Sequence, residues 1–121
     1  MGYTILVADD SASMRQLISF TLQGAGYQII EALDGEDAVK KIKENKIDLV
    51  ISDLNMPNFD GMELLKYLRD DDSFKSIPIV MLTTESGLST VMEAKNAGIS
   101  GWIIKPFEPK KLTDTVKGLL P

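Results

Sequence analysis

The sequence predicts an α/β domain in which five helices cover both faces of a doubly wound, five-stranded parallel sheet. Five short runs are almost continuously apolar and rich in Ile and Val, which is typical of strands buried on both faces. These runs are Tyr3–Ala8, Gln28–Ala32, Leu49–Ser52, Ile77–Leu82 and Gly101–Ile104. A longer amphipathic stretch follows each run. Regular alternation of strand and helix implies right-handed crossovers, and therefore a parallel sheet.

Apolar residues at helical spacing predict the five helices in order. The first helix carries Met14, Leu17, Ile18 and Leu22 on one face, and the small residues Gly24-Ala25-Gly26 are expected to end it. The others are marked by Ala38, Val39 and Ile42, by Leu64, Leu65 and Leu68, by Leu88, Val91 and Met92, and by Leu112, Val116, Leu119 and Leu120. No internal boundary interrupts this alternation. Residues 1–121 are therefore predicted to form one domain without an attached output domain.

Composition excludes several classes of function. The chain has 121 residues, with 18 acidic and 13 basic side chains and a net charge of -5. This balance disfavours binding to nucleic acid, which requires a basic face. The absence of Cys and His excludes disulfides, thiol catalysis, an imidazole base and the usual zinc ligands. No run approaches the roughly 18 apolar residues of a membrane span, and no signal peptide is evident. We therefore expect a cytoplasmic protein without membrane association.

Polar and charged residues follow four of the five predicted strands. Asp9-Asp10 follows the first strand, Asp53 the third, Thr83-Thr84 the fourth and Lys105 the fifth. Ligands of open parallel sheets bind beyond the carboxyl ends of the strands, where the strand order reverses. Adjacent strands lie about 4.8 Å apart, so a reversal between the first and third strands would bring the three acids together. At about 4 Å and an effective dielectric constant of about 20, each carboxylate pair repels by roughly 4 kcal/mol. Such a cluster requires a cation.

The ligand types in this cluster favour Mg²⁺, with Mn²⁺ as the alternative, because hard oxygen ligands without His or Cys suit these ions. We predict that Asp10 and Asp53 are direct side-chain ligands, that Asp9 acts through water, and that Asn55 offers its backbone carbonyl. Lys105 would add positive charge. Each residue alone has a simpler interpretation: Asp9 or Asp10 as a helix cap, Asp53 as a turn residue, and Lys105 as an exposed charge. Only their convergence favours a site.

These motifs resemble, over the whole chain, the receiver domains of two-component response regulators. The motifs of that family are present as Asp9-Asp10, as Asp53 with Asn55-Met56-Pro57 and Gly61, as Thr83, and as Lys105-Pro106-Phe107. The resemblance implies the flavodoxin-like strand order 2-1-3-4-5. It also implies a cis bond between Lys105 and Pro106, which an X–Pro bond adopts at modest cost.

The resemblance implies a phosphorylation chemistry as well. Asp53 would accept a phosphoryl group from a phosphohistidine of a sensor kinase, while Mg²⁺ and Lys105 stabilise the transferred group. The Thr83 hydroxyl would then bond a phosphate oxygen and draw its loop inward. Trp102 lies where the family usually carries a Tyr or Phe that changes rotamer during this switch. Apart from self-catalysed phosphoryl transfer and slow autodephosphorylation, no enzymatic activity is expected.

The stretch Gly101–Phe107 resembles chemotaxis members of the family. A stand-alone, CheY-like protein is therefore expected, monomeric, with a CheA-like histidine kinase as phosphodonor and a flagellar switch protein as target. A phosphatase would be a further partner. The family's usual docking face, formed by the fourth helix, fifth strand and fifth helix, would include Lys95, Trp102 and Lys110. A phosphorelay intermediate outside chemotaxis is the alternative.

Three other functions fit the predicted architecture less well. A flavodoxin-like electron carrier needs a phosphate-binding loop after the first strand, where Asp9-Asp10 would repel the flavin phosphate. Asp-dependent phosphatases carry Asp-x-Asp at that place, whereas these two acids are adjacent. A receiver that only docks, without being phosphorylated, would not need the complete set of acids, Thr and Lys.

Overall fold

The computed structural model describes residues 2–121, in which five strands alternate with five helices. The strands are β1 (Thr4–Ala8), β2 (Gln28–Ala32), β3 (Leu49–Ser52), β4 (Ile79–Thr83) and β5 (Gly101–Ile104). The helices are α1 (Ala12–Gly24), α2 (Gly35–Glu44), α3 (Gly61–Asp70), α4 (Leu88–Asn96) and α5 (Pro109–Leu119). The strands form one parallel sheet in the order β2-β1-β3-β4-β5. The predicted fold class and strand order are confirmed.

Two apolar layers enclose the sheet because successive strand side chains point to opposite faces. On one face, Leu6, Val50 and Met81 pack with buried residues of α2, α3 and α4. On the other face, Val7 and Ile51 pack with buried residues of α1 and α5. The sheet is therefore a rigid frame, and polar residues that follow its strands are held at fixed places along one edge.

The predicted bounds of β2, β3 and β5 are correct. β1 begins at Thr4, one residue later than predicted, and β4 begins and ends later than predicted. The strand was expected over Ile77–Leu82. It begins at Ile79 because Pro78 has no amide hydrogen to donate to a neighbouring strand. Pro78 does offer its carbonyl, which accepts a hydrogen bond from Val50 N at 2.9 Å. As a result, Thr83 is the last residue of β4, rather than the first residue beyond it.

Several apolar positions predicted to face the core are exposed. Leu17 is 49% exposed, Leu88 76% and Met92 44%. In α4 the buried residue is Ala94, which the apolar pattern did not identify. Hydrophobic periodicity identifies the apolar positions of a helix. It does not show which side of the helix packs on the sheet when a small residue such as Ala94 lets the helix backbone approach the sheet closely.

Three further features of the fold concern a peptide bond, the two ends of the described chain and the character of the helices. The Lys105-Pro106 peptide bond is cis, as the family resemblance implied. At the opposite edge of the sheet, Tyr3 Oη donates a hydrogen bond to the carbonyl oxygen of Pro121 at 2.6 Å. Within residues 2–121, no helix has both the length and the apolar character needed to cross a membrane.

Candidate functional site

The reversal of strand order brings the three predicted acids together. β1 lies beside β3 with Ala8 opposite Ser52, and Asp53 N donates to the carbonyl oxygen of Ala8 at 2.9 Å. The residues that follow these strands are therefore neighbours. One carboxylate oxygen from each of Asp9, Asp10 and Asp53 lies within 4.8 Å of the others.

Lys105 joins two of these acids. Its Nζ donates to Asp9 Oδ2 at 2.9 Å and to Asp53 Oδ2 at 3.0 Å. The side chains of Lys105, Asp9 and Asp53 are only 12%, 2% and 14% exposed. Burial alone would lower the pKa of Lys105, but hydrogen bonds and charge from Asp9 and Asp53 outweigh that effect and raise its pKa above 10.5. Lys105 is therefore a fixed cation within the acidic cluster.

The two adjacent acids have different surroundings. Asp9 Oδ1 accepts a hydrogen bond from Ser11 N at 2.9 Å and Asp9 Oδ2 accepts one from Lys105, so both carboxylate oxygens are engaged. Asp10 is exposed, and its carboxylate accepts no hydrogen bond from residues 2–121. The N-cap of α1 is Ser11, whose hydroxyl accepts from Met14 N at 3.3 Å. Asp9 and Asp10 are therefore not the cap of this helix.

The side-chain oxygens of the cluster fit a divalent cation. Asp53 Oδ1 accepts from Leu54 N at 2.7 Å and Asp53 Oδ2 from Lys105, while the Asp10 carboxylate is available to a ligand. Asn55 lies two residues beyond Asp53 in the same loop and is exposed. An all-oxygen donor set that reaches solvent matches the preference of Mg²⁺, which is held by few carboxylates and retains several waters.

Gly61, at the start of α3, is required by close packing against the backbone of Asp53 and Leu54. A Cβ atom at residue 61 would lie 2.3 Å from the carbonyl oxygen of Asp53 and 2.9 Å from Cα of Leu54. Gly61 N also donates to the Leu54 carbonyl at 2.8 Å. Helix α3 thus supports the backbone of Asp53 directly, and the sequence motif that contained this glycine did not reveal that contact.

Thr83 and Trp102 hold the same residue, Glu85. Thr83 is 1% exposed, and its Oγ1 accepts a hydrogen bond from Glu85 N at 3.2 Å. Trp102 Nε1 donates to the carbonyl oxygen of Glu85 at 2.9 Å. The family resemblance implied a switch role for Thr83 and Trp102, but it did not reveal this shared partner. No periodicity or motif marks Glu85, so only the structure could identify it.

The Response regulator receiver domain family matches residues 5–117 of the chain. Chemotaxis protein CheY1 of Helicobacter pylori is 42% identical over 118 residues, which cover 96% of this chain and 95% of that protein. The Chemotaxis protein CheY homolog of Campylobacter jejuni is 37% identical and is covered over 91% of its length. A crystal structure of chemotaxis protein CheY4 of Vibrio cholerae has a TM-score of 0.93 at 42% identity, covering 99% of this chain and 100% of that one. The chain therefore belongs to the response regulator receiver domains of two-component systems, and it is similar to their CheY-type members.

Proposed function

We propose that this protein is a chemotaxis response regulator whose Asp53 accepts a phosphoryl group from a CheA-like histidine kinase. Phosphorylation of Asp53 would control the binding of this protein to a flagellar switch protein. The observation that carries the proposal is the contact of Lys105 Nζ with Asp53 at 3.0 Å and with Asp9 at 2.9 Å. Similarity to CheY proteins over nearly their whole length supports the chemotaxis assignment.

The phosphoryl transfer needs no general base from this chain. A carboxylate oxygen of Asp53 forms a bond to phosphorus while the bond between phosphorus and the imidazole nitrogen of the donor breaks, so the imidazole departs with the kinase. Lys105 stabilises negative charge on the phosphoryl oxygens as this occurs. Asp10, Asp53 and the backbone carbonyl of Asn55, with Asp9 through water, would hold a Mg²⁺ ion that supplies further charge stabilisation.

Thr83 would report phosphorylation to the rest of the molecule. Its hydroxyl oxygen accepts from Glu85 N, so the hydroxyl proton remains available for a phosphoryl oxygen. Movement of Thr83 toward that group would displace Glu85, whose carbonyl is bonded to Trp102. Trp102 is partly exposed on the face formed by α4, β5 and α5, and Lys95 and Lys110 are exposed on the same face. We propose this face as the docking surface for the target.

Acetyl phosphate with Mg²⁺ tests the phosphoacceptor directly. The unchanged protein should gain the mass of one phosphoryl group by intact mass spectrometry, and Asp53→Asn should gain none. Asp48→Asn is a suitable control, because Asp48 lies at the other end of β3, where its Oδ2 accepts from Thr4 N at 2.8 Å. Equal labelling of Asp53→Asn would contradict the assignment. Multiple-turnover hydrolysis of a phosphomonoester would instead indicate a phosphatase.

A pull-down with and without beryllofluoride tests the partners, since this ion mimics a phosphorylated carboxylate. Enrichment of a flagellar switch protein in its presence would support chemotaxis. Enrichment of a phosphotransfer protein in its place would support a phosphorelay intermediate.

A further inference from the structure

Arg15, in α1, joins the acidic cluster to the neighbouring strand β2. Its Nη1 donates to the backbone carbonyl oxygen of Asp9 at 2.7 Å, and its Nε donates to Glu31 Oε1 at 3.2 Å. The Arg15 side chain is only 12% exposed. Since the guanidinium is planar and rigid, these two bonds in different directions fix its orientation.

The Glu31 carboxylate that anchors Arg15 is itself held. Glu31 Oε2 accepts a hydrogen bond from the hydroxyl of Ser19 at 3.1 Å, and Ser19 is 4% exposed. Ser19 and Arg15 both belong to α1, whereas Glu31 belongs to β2. The guanidinium therefore connects the peptide that follows β1 to the Glu31 side chain on β2.

The carbonyl that Arg15 binds has a direct bearing on Asp10. Strand pairing of β1 ends at Ala8, and the Asp9 carbonyl belongs to the planar peptide group that continues into Asp10. The carboxylate of Asp10 accepts no hydrogen bond from the described part of the chain, residues 2–121. The direction in which this side chain leaves the main chain is therefore set by the backbone alone, and Arg15 is the side chain that bonds the carbonyl of the preceding peptide.

We propose that Arg15 is a positioning residue for the metal site: it orients the peptide between Asp9 and Asp10 so that the Asp10 carboxylate faces a divalent cation together with Asp53. This inference rests on the proposed metal site and adds a residue that makes no contact with the cation or the phosphoryl group. Partners that orient metal ligands typically change metal affinity by about 10-fold to 100-fold when they are removed.

The sign of the effect separates positioning from simple electrostatics. A guanidinium near the cluster repels a divalent cation, so loss of its charge alone would tighten metal binding. Loss of the positioning bond would weaken metal binding instead. A purely structural role would lower stability without a specific change in affinity.

The test is a titration of the whole protein with Mn²⁺ alone. The electron paramagnetic resonance signal of the free ion gives the dissociation constant for Mn²⁺. Arg15→Met should bind Mn²⁺ about 10-fold more weakly. Arg15→Lys should recover part of the loss, because an ammonium can donate to the Asp9 carbonyl but lacks the rigid planar fork that also bonds Glu31.

Arg69→Met is the matched control. Arg69 also donates to backbone carbonyls, from Nη1 to Ile77 at 2.8 Å and from Nε to Gly98 at 3.0 Å, but these residues precede β4 and β5, at the edge of the sheet opposite the site. Its loss should lower the thermal midpoint and leave Mn²⁺ affinity unchanged.

Three results would overturn the inference. If the unchanged protein binds Mn²⁺ and Arg15→Met binds it equally tightly or more tightly, the positioning role of Arg15 is refuted while the metal site stands. The same loss of affinity in Arg69→Met would show that the effect is general destabilisation. Absence of Mn²⁺ binding by the unchanged protein would refute the metal site and this inference together. The phosphoacceptor role of Asp53 is tested separately by the labelling with acetyl phosphate described above, so the two proposals can fail independently.

Discussion

At the scale of single residues, Lys105 resolves the repulsion between carboxylates. Asp9 and Asp53 both contact its Nζ, at 2.9 and 3.0 Å, and all three side chains are largely buried. Removing one partner of a buried ion pair leaves an uncompensated charge, which typically costs about 3 to 5 kcal/mol. Lys105 therefore contributes to the stability of the fold as well as to the proposed chemistry.

Lys105→Met should lower the free energy of unfolding by about 3 kcal/mol in the absence of divalent ions, measured by urea denaturation. Added Mg²⁺ should stabilise this variant more than the unchanged protein, because the ion would replace the missing positive charge. Lys110→Met is the control, since Lys110 pairs with Asp114 at 2.7 Å with its side chain 86% exposed; exposed pairs contribute little. Equal stability of Lys105→Met and the unchanged protein would contradict this explanation.

The pH dependence of the same variant has a defined sign. The pKa of Lys105 is raised above its ordinary value of 10.5 despite burial, by hydrogen bonds to Asp9 and Asp53. A raised pKa means that the folded state binds the proton more tightly, so the stabilisation is fully present below the unfolded-state pKa. On the alkaline side, the stability difference between the unchanged protein and Lys105→Met should therefore hold from neutral pH upward and shrink as the pH rises above that value. A difference that shrinks already near neutrality would contradict the raised pKa.

At the scale of elements, α3 packs against the loop that carries Asp53 and fixes its backbone. The helix begins with a capping box in which Asp60 and Glu63 exchange side-chain and backbone hydrogen bonds, at 2.8 and 2.9 Å. Gly61 then brings the helix against the backbone of Asp53. Because the start of α3 is so well determined, a side chain added at residue 61 cannot be accommodated by fraying of the helix.

Gly61→Ala should therefore destabilise the protein by about 2 kcal/mol, because overpacking in a tight contact costs roughly 1 to 3 kcal/mol. It should also reduce labelling by acetyl phosphate, since the Asp53 carbonyl must move. Gly24→Ala, at the end of α1, is the control: a Cβ at residue 24 would meet nothing within 4 Å, and Ala is the better helix former by up to about 1 kcal/mol. Similar thermal midpoints for the two variants would contradict the packing argument.

At the scale of the whole molecule, Glu85 is the residue through which we propose that phosphorylation at the acidic cluster reaches the docking face. Thr83 and Trp102 bond its N–H and its carbonyl respectively, so one residue links β4 to β5. Trp102 is the single tryptophan of the chain, and its indole emission therefore reports this link without contribution from another residue.

Beryllofluoride with Mg²⁺ should change the emission of Trp102 in the unchanged protein, because Thr83 would move toward the bound group. Thr83→Ala should bind the same ligand and lose most of the emission change. Thr84→Ala is the matched control, as Thr84 is exposed and lies one residue further along; it should behave as the unchanged protein does. Loss of the signal in both variants would contradict coupling through Thr83.

The sequence predicts the frame of this molecule better than its finer connections. Buried parallel strands have a strong apolar signal, so β2, β3 and β5 were predicted to the residue. The start of β4 was wrong because apolar character extends through Pro78, which cannot donate to the ladder. The exposed stripe of α4 was also misjudged, since a small buried residue, Ala94, carries little hydrophobic signal.

Within the site, residue type and position after a strand predicted that Asp9, Asp10, Asp53 and Lys105 converge, and the structure brings them together. Sequence analysis did not identify Arg15, because its contact with the acidic loop is to the backbone carbonyl of Asp9. It did not identify Glu85 either, because Thr83 and Trp102 bond the backbone N–H and carbonyl of that residue. Backbone atoms are common to all residues, and a contact to them leaves no characteristic pair of side chains in the sequence.

The hydrogen bond between Tyr3 and Pro121 has a practical consequence. It draws the two ends of the described chain together beneath the sheet, on the far side from the acids. A fluorophore or affinity tag joined to residue 121 would thus sit remote from the reactive carboxylate. Immobilisation through that point should leave the acidic cluster accessible to ligands and proteins in solution.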